Sequence, residues 1–266
     1  MAKAELEAEI ARAVEIVSDA HYPVALVGAG MSVESGIPPF RGPGGLWTRY
    51  GEPDMRGYQR FLEDPRKWWL DQLKAEGPIA EFRETFRKAR PNPGHLALAE
   101  MEAMGYMKCI ITQNVDNLHQ EAGSQHVAEI HGNSTKLRCI GCSARWSRTE
   151  FEIEEYPPLC PNCGGIVKDD TVMFGEPIPF DVMALCEAET SRCDCMLLIG
   201  TTAEVYPAAG FPTTVRANGG ALIEVNPYET VISHQCDVTL RAPSGQVLPK
   251  IMDGIKSAKS GGGKGS

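Results

Sequence analysis

Five short stretches constrain this chain more than anything else in it. They are "PVALVGAG" (23–30), "KCIITQN" (108–114), "CMLLIGTTA" (195–203), "ALIEVNP" (221–227) and "DVTLRA" (237–242). Each has an apolar run that stops at Gly, Thr, Asn, Pro or a charged residue. A strand with one wet face alternates apolar and polar residues, whereas a continuous apolar run has to be covered on both faces. Helical patterns fall between the runs. Leu6, Ile10, Ala13, Val14 and Val17 recur at helical spacing over residues 5–18, and "GHLALAEMEAMG" reads as a helix ended by Gly105. Further helical patterns lie at 179–191 and 207–218. The expected fold class is therefore α/β, a Rossmann-like parallel sheet with helices on both faces. Ligands of such sheets gather at the carboxyl ends of the strands. Here those ends are Gly28–Ser32, Thr112–Asp116, Gly200–Ala203 and Asn226–Pro227, all short and polar or glycine-containing.

Two segments do not fit the sheet. Residues 39–94 hold three of the four tryptophans with many Pro and Gly, and read as a mobile loop followed by a helical insertion. Residues 134–170 hold two C-x-x-C pairs and read as a small separate module. The sheet domain is then 1–38 with 95–133 and 171–256, and 257–266 reads as a low-complexity, disordered tail.

The cysteine pairs are Cys139/Cys142 and Cys160/Cys163, with 17 residues between them. That is zinc-ribbon spacing, and four thiolates complete the tetrahedral shell that zinc prefers. A closed shell leaves no open position for substrate, so the expected metal is one structural zinc ion. His131 lies eight positions before Cys139 and could be a ligand or a base. With four cysteines available, zinc does not need it. The other five of the nine cysteines sit in apolar or mixed surroundings and read as inert thiols, not a disulfide framework.

A net charge of −9 argues against nucleic-acid binding through a basic surface. It serves either solubility or encounter with lysine-rich protein segments. No run approaches the roughly 18 apolar residues of a membrane span. The N-terminal "MAKAELEAEIARAVEIVSDA" has no signal-peptide pattern, so the expected location is cytoplasmic, with no membrane partner.

After the first strand comes "GAGMSVESGIPPFRGPGGLW" (28–47). Gly28 and Gly30 allow backbone to approach a phosphate, but Val33 stands where the dehydrogenase fingerprint wants a third glycine. Hydride transfer is accordingly disfavoured. The blocks "GAGMSVESGIPPFRG", "TQNVDNLH", "IHG", the two cysteine pairs, "VMFGE", "GTTAEVYPAA" and "EVNP" occur in the order found in sirtuins. The chain resembles that family, the NAD-dependent protein lysine deacylases, from about residue 20 to 250.

The resemblance implies a cofactor, a substrate and a set of roles. NAD would be consumed: an acyl-lysine oxygen attacks C1′ of the nicotinamide ribose, nicotinamide leaves, and an alkylimidate forms. His131 would be the general base that lets the ribose 2′-OH attack it, and imidazole suits proton transfer near neutrality. Products would be free lysine, nicotinamide and O-acyl-ADP-ribose. By the same resemblance Gln113 binds ribose, Asn114 holds ribose and an ordered water, and Asp116 recognises the nicotinamide amide. Ala29 and Ser32 line the pocket beside Gly28 and Gly30. Phe40 shields the intermediate, and Arg41 orients a phosphate or water. Gly200, Thr201 and Thr202 contact phosphate and ribose, Asn226 the adenosine ribose, and Cys236 and Asp237 lie near adenine. "TVMFGEPIP" would be a strand pairing with an extended acyl-lysine peptide, with Gly175 and Glu176 on its backbone. Val172 and Phe174 would enclose the lysine stem, although an aromatic at 174 could equally be core.

Some positions depart from the family pattern. Pro39 replaces a hydrogen-bonding residue near the nicotinamide pocket, Met173 a phenylalanine, and Thr202 a serine. Sirtuins that prefer succinyl or malonyl groups carry a Tyr and an Arg three residues apart, and "RKWWLDQLKAEG" has no such pair. An acidic acyl group would be buried unpaired there, so neutral acyl groups are expected. Trp68, Trp69 and Leu70 either line an acyl pocket or pack the insertion. Of the other histidines, His119 is expected to pack a helix, and His21, His95, His126 and His234 to be surface or capping residues. Two other functions stay in view. One is mono-ADP-ribosyl transfer on the same fold, the other a zinc-ribbon adaptor that only senses NAD.

Overall fold

A computed structural model describes residues 3–261 apart from 41–43, 53, 75 and 77. The helices are α1 (Lys3–Asp19), α2 (Leu46–Tyr50), α3 (Gly57–Glu63), α4 (Pro65–Leu73), α5 (Pro78–Lys88), α6 (Pro93–Ala103), α7 (Leu118–Glu121), α8 (Phe180–Arg192), α9 (Phe211–Ala217) and α10 (Ser244–Gly261). The strands are β1 (Pro23–Val27), β2 (Cys109–Thr112), β3 (Val127–Glu129), β4 (Lys136–Cys139), β5 (Arg145–Ser147), β6 (Val167–Asp169), β7 (Cys195–Ile199), β8 (Ala221–Val225) and β9 (Val238–Leu240).

Six strands form one sheet in the order β3-β2-β1-β7-β8-β9, and every pairing is parallel. All five residues of β1 are buried, as the continuous apolar run demands. Side chains of a strand alternate between faces. Ala25 and Val27 meet α1, α6 and α10, while Val24 and Leu26 meet the layer that includes Cys186 of α8 and Val215 of α9. Each such apolar side chain contributes about 1.5–3 kcal/mol by leaving water. The α/β architecture expected from the sequence is the one observed.

Register sets the position of the site. Val27 pairs with Thr112 and with Ile199, and Ile199 with Val225. The next residues, Gly28, Gln113, Gly200 and Asn226, therefore leave the sheet side by side. β1 sits where the chain order reverses, with β2 on one side and β7 on the other. A crevice opens at such a point.

The second sheet is antiparallel, in the order β5-β4-β6. It carries the cysteine pairs and packs against α4. Asp64 caps α4 by accepting from the Lys67 N–H, Pro65 follows it, and Trp69 is buried among Leu137, Cys139, Cys160 and Val167. The Trp69 Nε1–H donates to the Val167 carbonyl at 3.0 Å. Trp68 packs on the same cluster, and its ring meets that of Phe61. Packing of the insertion is thus the role the geometry gives Trp68 and Trp69; Leu70 is exposed.

Two expectations are corrected at the level of elements. Helix α10 runs through residues 257–261, for which disorder is expected from the sequence, and the rest of that expected tail lies outside the described residues; the helix packs its apolar face into the core. Residues 171–179 form no strand. The Glu176 N–H donates to the Met173 carbonyl, a tight turn that extended backbone cannot make.

Candidate active site and metal centre

The turn after β1 enters a 3-10 helix, Ala29–Ser35, and not an α-helix. Its glycines answer to packing as well as to any ligand. A Cβ on Gly28 would lie 2.8 Å from the Gly200 carbonyl oxygen, and one on Gly30 2.7 Å from the Gly200 Cα. The Gly30 N–H donates to that same carbonyl at 2.9 Å, and the Gly28 N–H to Ile199. The two glycine amides are therefore committed to joining the β1 and β7 turns.

Beside them lies a buried polar knot. Ser32 Oγ donates to Asp116 at 2.6 Å, and Asn114 Nδ2 donates to Ser32 Oγ and to the Gly28 carbonyl, each at 3.1 Å. Burial raises the Asp116 carboxyl above its ordinary range, and the Ser32 hydroxyl and the Leu118 amide act against that rise. Gln113 Nε2 donates to Thr201 Oγ1 at 2.9 Å, and Asn226 Nδ2 to the Thr201 carbonyl at 3.2 Å. Two hydrogen-bonded groups, Ser32 with Asn114 and Asp116 and Gln113 with Thr201 and Asn226, thus lie at neighbouring strand ends, adjacent in the chain at Gln113–Asn114. Thr202 is exposed beside them. Cys236 is partly exposed after β8, and its thiol contacts the Ile232 carbonyl. Asp237 is turned elsewhere, to Arg216 and the Leu222 amide. Arg41 lies outside the described residues.

His131 stands two residues beyond β3, half-buried. Its Nδ1 lies 3.1 Å from the Gln113 carbonyl oxygen, which can only accept, so Nδ1 carries the proton. In the neutral ring Nε2 is then the basic nitrogen. Burial lowers the His131 pKa below its ordinary 6.5, partly offset by the Gln113 carbonyl.

The His131 carbonyl accepts the Val172 N–H at 2.8 Å, so the segment after β6 runs alongside it. Phe174 is exposed, and its ring is 5.7 Å from that of Trp47, itself 5.5 Å from Phe40. Gly175 has φ +80°, and a Cβ there would lie 2.9 Å from the Met55 carbonyl oxygen. The Glu176 side chain points inward to Arg138 and Lys168, so this residue offers a partner neither its carboxylate nor its N–H.

Four sulfurs, from Cys139, Cys142, Cys160 and Cys163, lie within 4.8 Å of one another. Cys139 and Cys163 are 3.5 Å apart, Cys142 and Cys160 3.6 Å. A tetrahedral zinc with bonds of about 2.3 Å needs sulfurs about 3.8 Å apart. The Gly141 and Asn162 amides point at the Cys139 and Cys160 sulfurs, at 3.3 and 3.4 Å, as thiolates require. The four cysteines fit one structural zinc, and His131 takes no part.

The histidines left aside divide. His21, His126 and His234 are exposed. His95 belongs to the capping box of α6 but is fully buried, and its ring is 4.9 Å from that of His119, which packs inside α7. At the opposite ends of the strands Tyr22, Lys108, Val127 and Arg192 border a groove of about 800 Å³, to which no predicted site residue contributes.

The Sir2 family model matches residues 28–207. The chain belongs to the Sir2 family. A sirtuin relative named NAD-dependent protein deacylase from Thermococcus kodakarensis is 40% identical over 254 residues, 93% of this chain and 96% of that protein. NAD-dependent protein deacylase 1 of Archaeoglobus fulgidus is 40% identical over 249 residues, 92% of this chain and 97% of that one. Among solved structures, a Sir2 homologue in complex with NAD is 38% identical with a TM-score of 0.77, over 93% of this chain and 94% of that one. A Sir2–p53 peptide–NAD+ complex is 29% identical with a TM-score of 0.71, over 91% and 96%.

The cleft of this sirtuin has the donor set such a cofactor needs. Hydroxyl and amide side chains suit ribose hydroxyls, and a buried carboxyl suits a carboxamide. The inward turn of Glu176 and the packing role of Gly28 and Gly30 are set by tertiary contacts that no local pattern encodes. The only sequence signal for the second was two glycines in step with Gly200.

Proposed function

We propose that this sirtuin removes acyl groups from protein lysines at the expense of NAD, releasing nicotinamide, O-acyl-ADP-ribose and free lysine. Membership of the Sir2 family supports the reaction class. The observation that carries the residue assignment is the His131 ring, with its Nδ1–H given to Gln113 and Nε2 left as base.

NAD supplies an electrophilic ribose carbon and a leaving group. The chain's own residues hold and deprotonate. Ser32, Asn114 and Asp116 form the floor, where Asp116 fixes a carboxamide and Asn114 a ribose hydroxyl. Gly28, Ala29, Gly30, Gly200, Thr201 and Thr202 supply the phosphate and ribose wall, Gln113 a ribose contact. Asn226 and Cys236 lie on the adenosine side. Phe40 shields the intermediate, and Arg41, which lies outside the described residues, is proposed to orient a phosphate or water. His131 Nε2 takes a proton from a ribose hydroxyl, and low polarity around the ring keeps it neutral and competent.

Val172, Phe174 and Gly175 are proposed to receive the acyl-lysine stem. The aromatic wall of Phe40, Trp47 and Phe174 supports a preference for neutral acyl groups. A cytoplasmic setting that keeps the cysteines reduced belongs to the same proposal. Among the described residues no helix is long and apolar enough to cross a membrane.

The test is mass spectrometry of products from an acetyl-lysine peptide with NAD, for the wild type and His131→Ala. Nicotinamide, O-acetyl-ADP-ribose and free lysine in equal amounts, lost in the variant, are expected. NAD consumption with ADP-ribose left on protein would replace deacylation by ADP-ribosyl transfer.

A further inference from the structure

Lys168 is a lysine in the wrong place for a solvated charge. It lies on β6 with none of its surface exposed. Its Nζ donates to the Asp169 and Thr171 carbonyls, each at 2.7 Å, and lies 3.1 Å from a Glu176 oxygen. Glu176 is also saturated. One oxygen accepts from Arg138 at 2.6 Å, and the one facing Lys168 also accepts the Met173 N–H at 2.9 Å. Arg138 turns its Nε to Asp170 at 3.0 Å, and Arg145 reaches the same Asp170 oxygen. The other Asp170 oxygen accepts the Asn133 N–H at 3.2 Å. The side chains of Arg138, Asp170 and Glu176 keep 5% or less of their exposure.

Burying this many charges costs more than it returns unless each is paired, so a stability gain is a weak reason for the cluster. What it does have is placement. It touches β4 one residue before Cys139, β6, the loop two residues after His131, and both ends of segment 170–176. We infer that Arg138, Lys168, Asp170 and Glu176 are positioning residues that hold segment 171–176 in register against His131 and tie that register to the metal-bearing sheet. The inference rests on the proposal that this segment receives acyl-lysine. No member of the cluster need touch the substrate; Lys168 holds the Thr171 carbonyl and Glu176 the Met173 N–H, the two residues flanking the Val172 amide that binds the His131 carbonyl.

Glu176→Gln replaces one of two acceptor oxygens with a donor, so Lys168 with Met173, or Arg138, loses its acceptor. Lys168→Met removes the buried cation that the first change strands. The zinc-loaded single and double variants are compared by hydrogen–deuterium exchange of 131–133 and 170–176, and by KM for acetyl-lysine peptide and for NAD. Glu176→Gln is expected to speed exchange across 171–176 and to raise the peptide KM, each on the order of tenfold, with the NAD KM within about twofold. The double variant is expected to recover much of both. Unchanged exchange in Glu176→Gln, or a double variant that shows the product of the two single effects, overturns the inference. If Glu176→Gln does not fold, Lys168→Met decides: faster exchange confined to 170–176 and 131–133 supports the cluster, and unchanged exchange refutes it. A wild type that does not deacylate refutes the functional proposal, and the exchange data still judge the cluster.

Discussion

Gly132 offers a quantitative test of how the loop carrying His131 is built. It has φ +75°, and a Cβ there would lie 2.0 Å from the Asp170 carbonyl oxygen and 2.6 Å from its carbon. Neither backbone can retreat cheaply. The flanking His131 carbonyl holds the Val172 N–H, and the Asn133 N–H is bound to the Asp170 carboxylate. For Gly132→Ala the left-handed backbone costs about 1–2 kcal/mol. Overpacking adds about 1–3 kcal/mol, so the total is about 2–5 kcal/mol. Gly219 provides the comparison, since its φ is +84° and nothing lies within 4 Å of a Cβ there. Gly219→Ala should show the backbone cost alone, about 1–2 kcal/mol. In a chain of this size each kcal/mol moves Tm by about 2 °C. Thermal melts should therefore fall by about 2–4 °C for Gly219→Ala and about 4–10 °C for Gly132→Ala. Only the second should reduce kcat/KM for the peptide. Equal losses, with kinetics unchanged in both, would refute the close approach of the two backbones.

Three further outcomes are expected. The acid limb of the deacylation rate should report His131: its pKa is lowered by burial, so the ring is neutral down to a pH below 6.5. A midpoint at or above 6.5 would contradict that. Burial also lowers His95 to about 4 and His119 to about 3, so both stay neutral in the fold while the unfolded chain protonates near 6.5. Their contribution is whole above pH 6.5 and is lost as pH falls, at up to about 1.4 kcal/mol per pH unit for each. Urea midpoints that stay flat from pH 7 to 5 in the wild type, or that do not flatten in His119→Gln, would count against it. Finally, Cys160→Ser should bind less than one zinc per chain and shift tryptophan emission to the red. Trp69 packs on Cys139 and Cys160, so retention of a full equivalent with unchanged emission would contradict the four-sulfur site.

What the sequence revealed depended on whether the signal was local. Mostly apolar runs gave β1, β2, β7, β8 and β9 because burial on both faces disfavours an unpaired polar residue; Glu224 of β8 is fully buried and is paired with Arg241. β3 escaped notice, since Val127–Glu129 is three residues long and ends on a glutamate that pairs with Lys136. The cysteine spacing made the metal centre plain. Lys168 and Glu176 could not be read in the same way. A charged letter looks solvated wherever it stands, and only the tertiary fold brings Arg138 and Asp170 to it. The strand expected at 171–179 rests on the family resemblance alone, and the Met173–Glu176 turn with its inward carboxylate holds the backbone otherwise.

The order of the strands also sets when the enzyme can come into being. β1 is flanked by β2, about 80 residues later, and by β7, about 170 residues later. Asn226 follows β8, and α10 packs on α1 and α6. During synthesis β1 must therefore wait, with one edge unpaired, while the metal-bearing sheet leaves the ribosome and finds its zinc. Only about the last 40 residues supply Asn226 and seal the core under α1. Contacts this distant close slowly. A chain truncated before β8 would contain all four cysteines of the metal centre and lack Asn226 and Cys236.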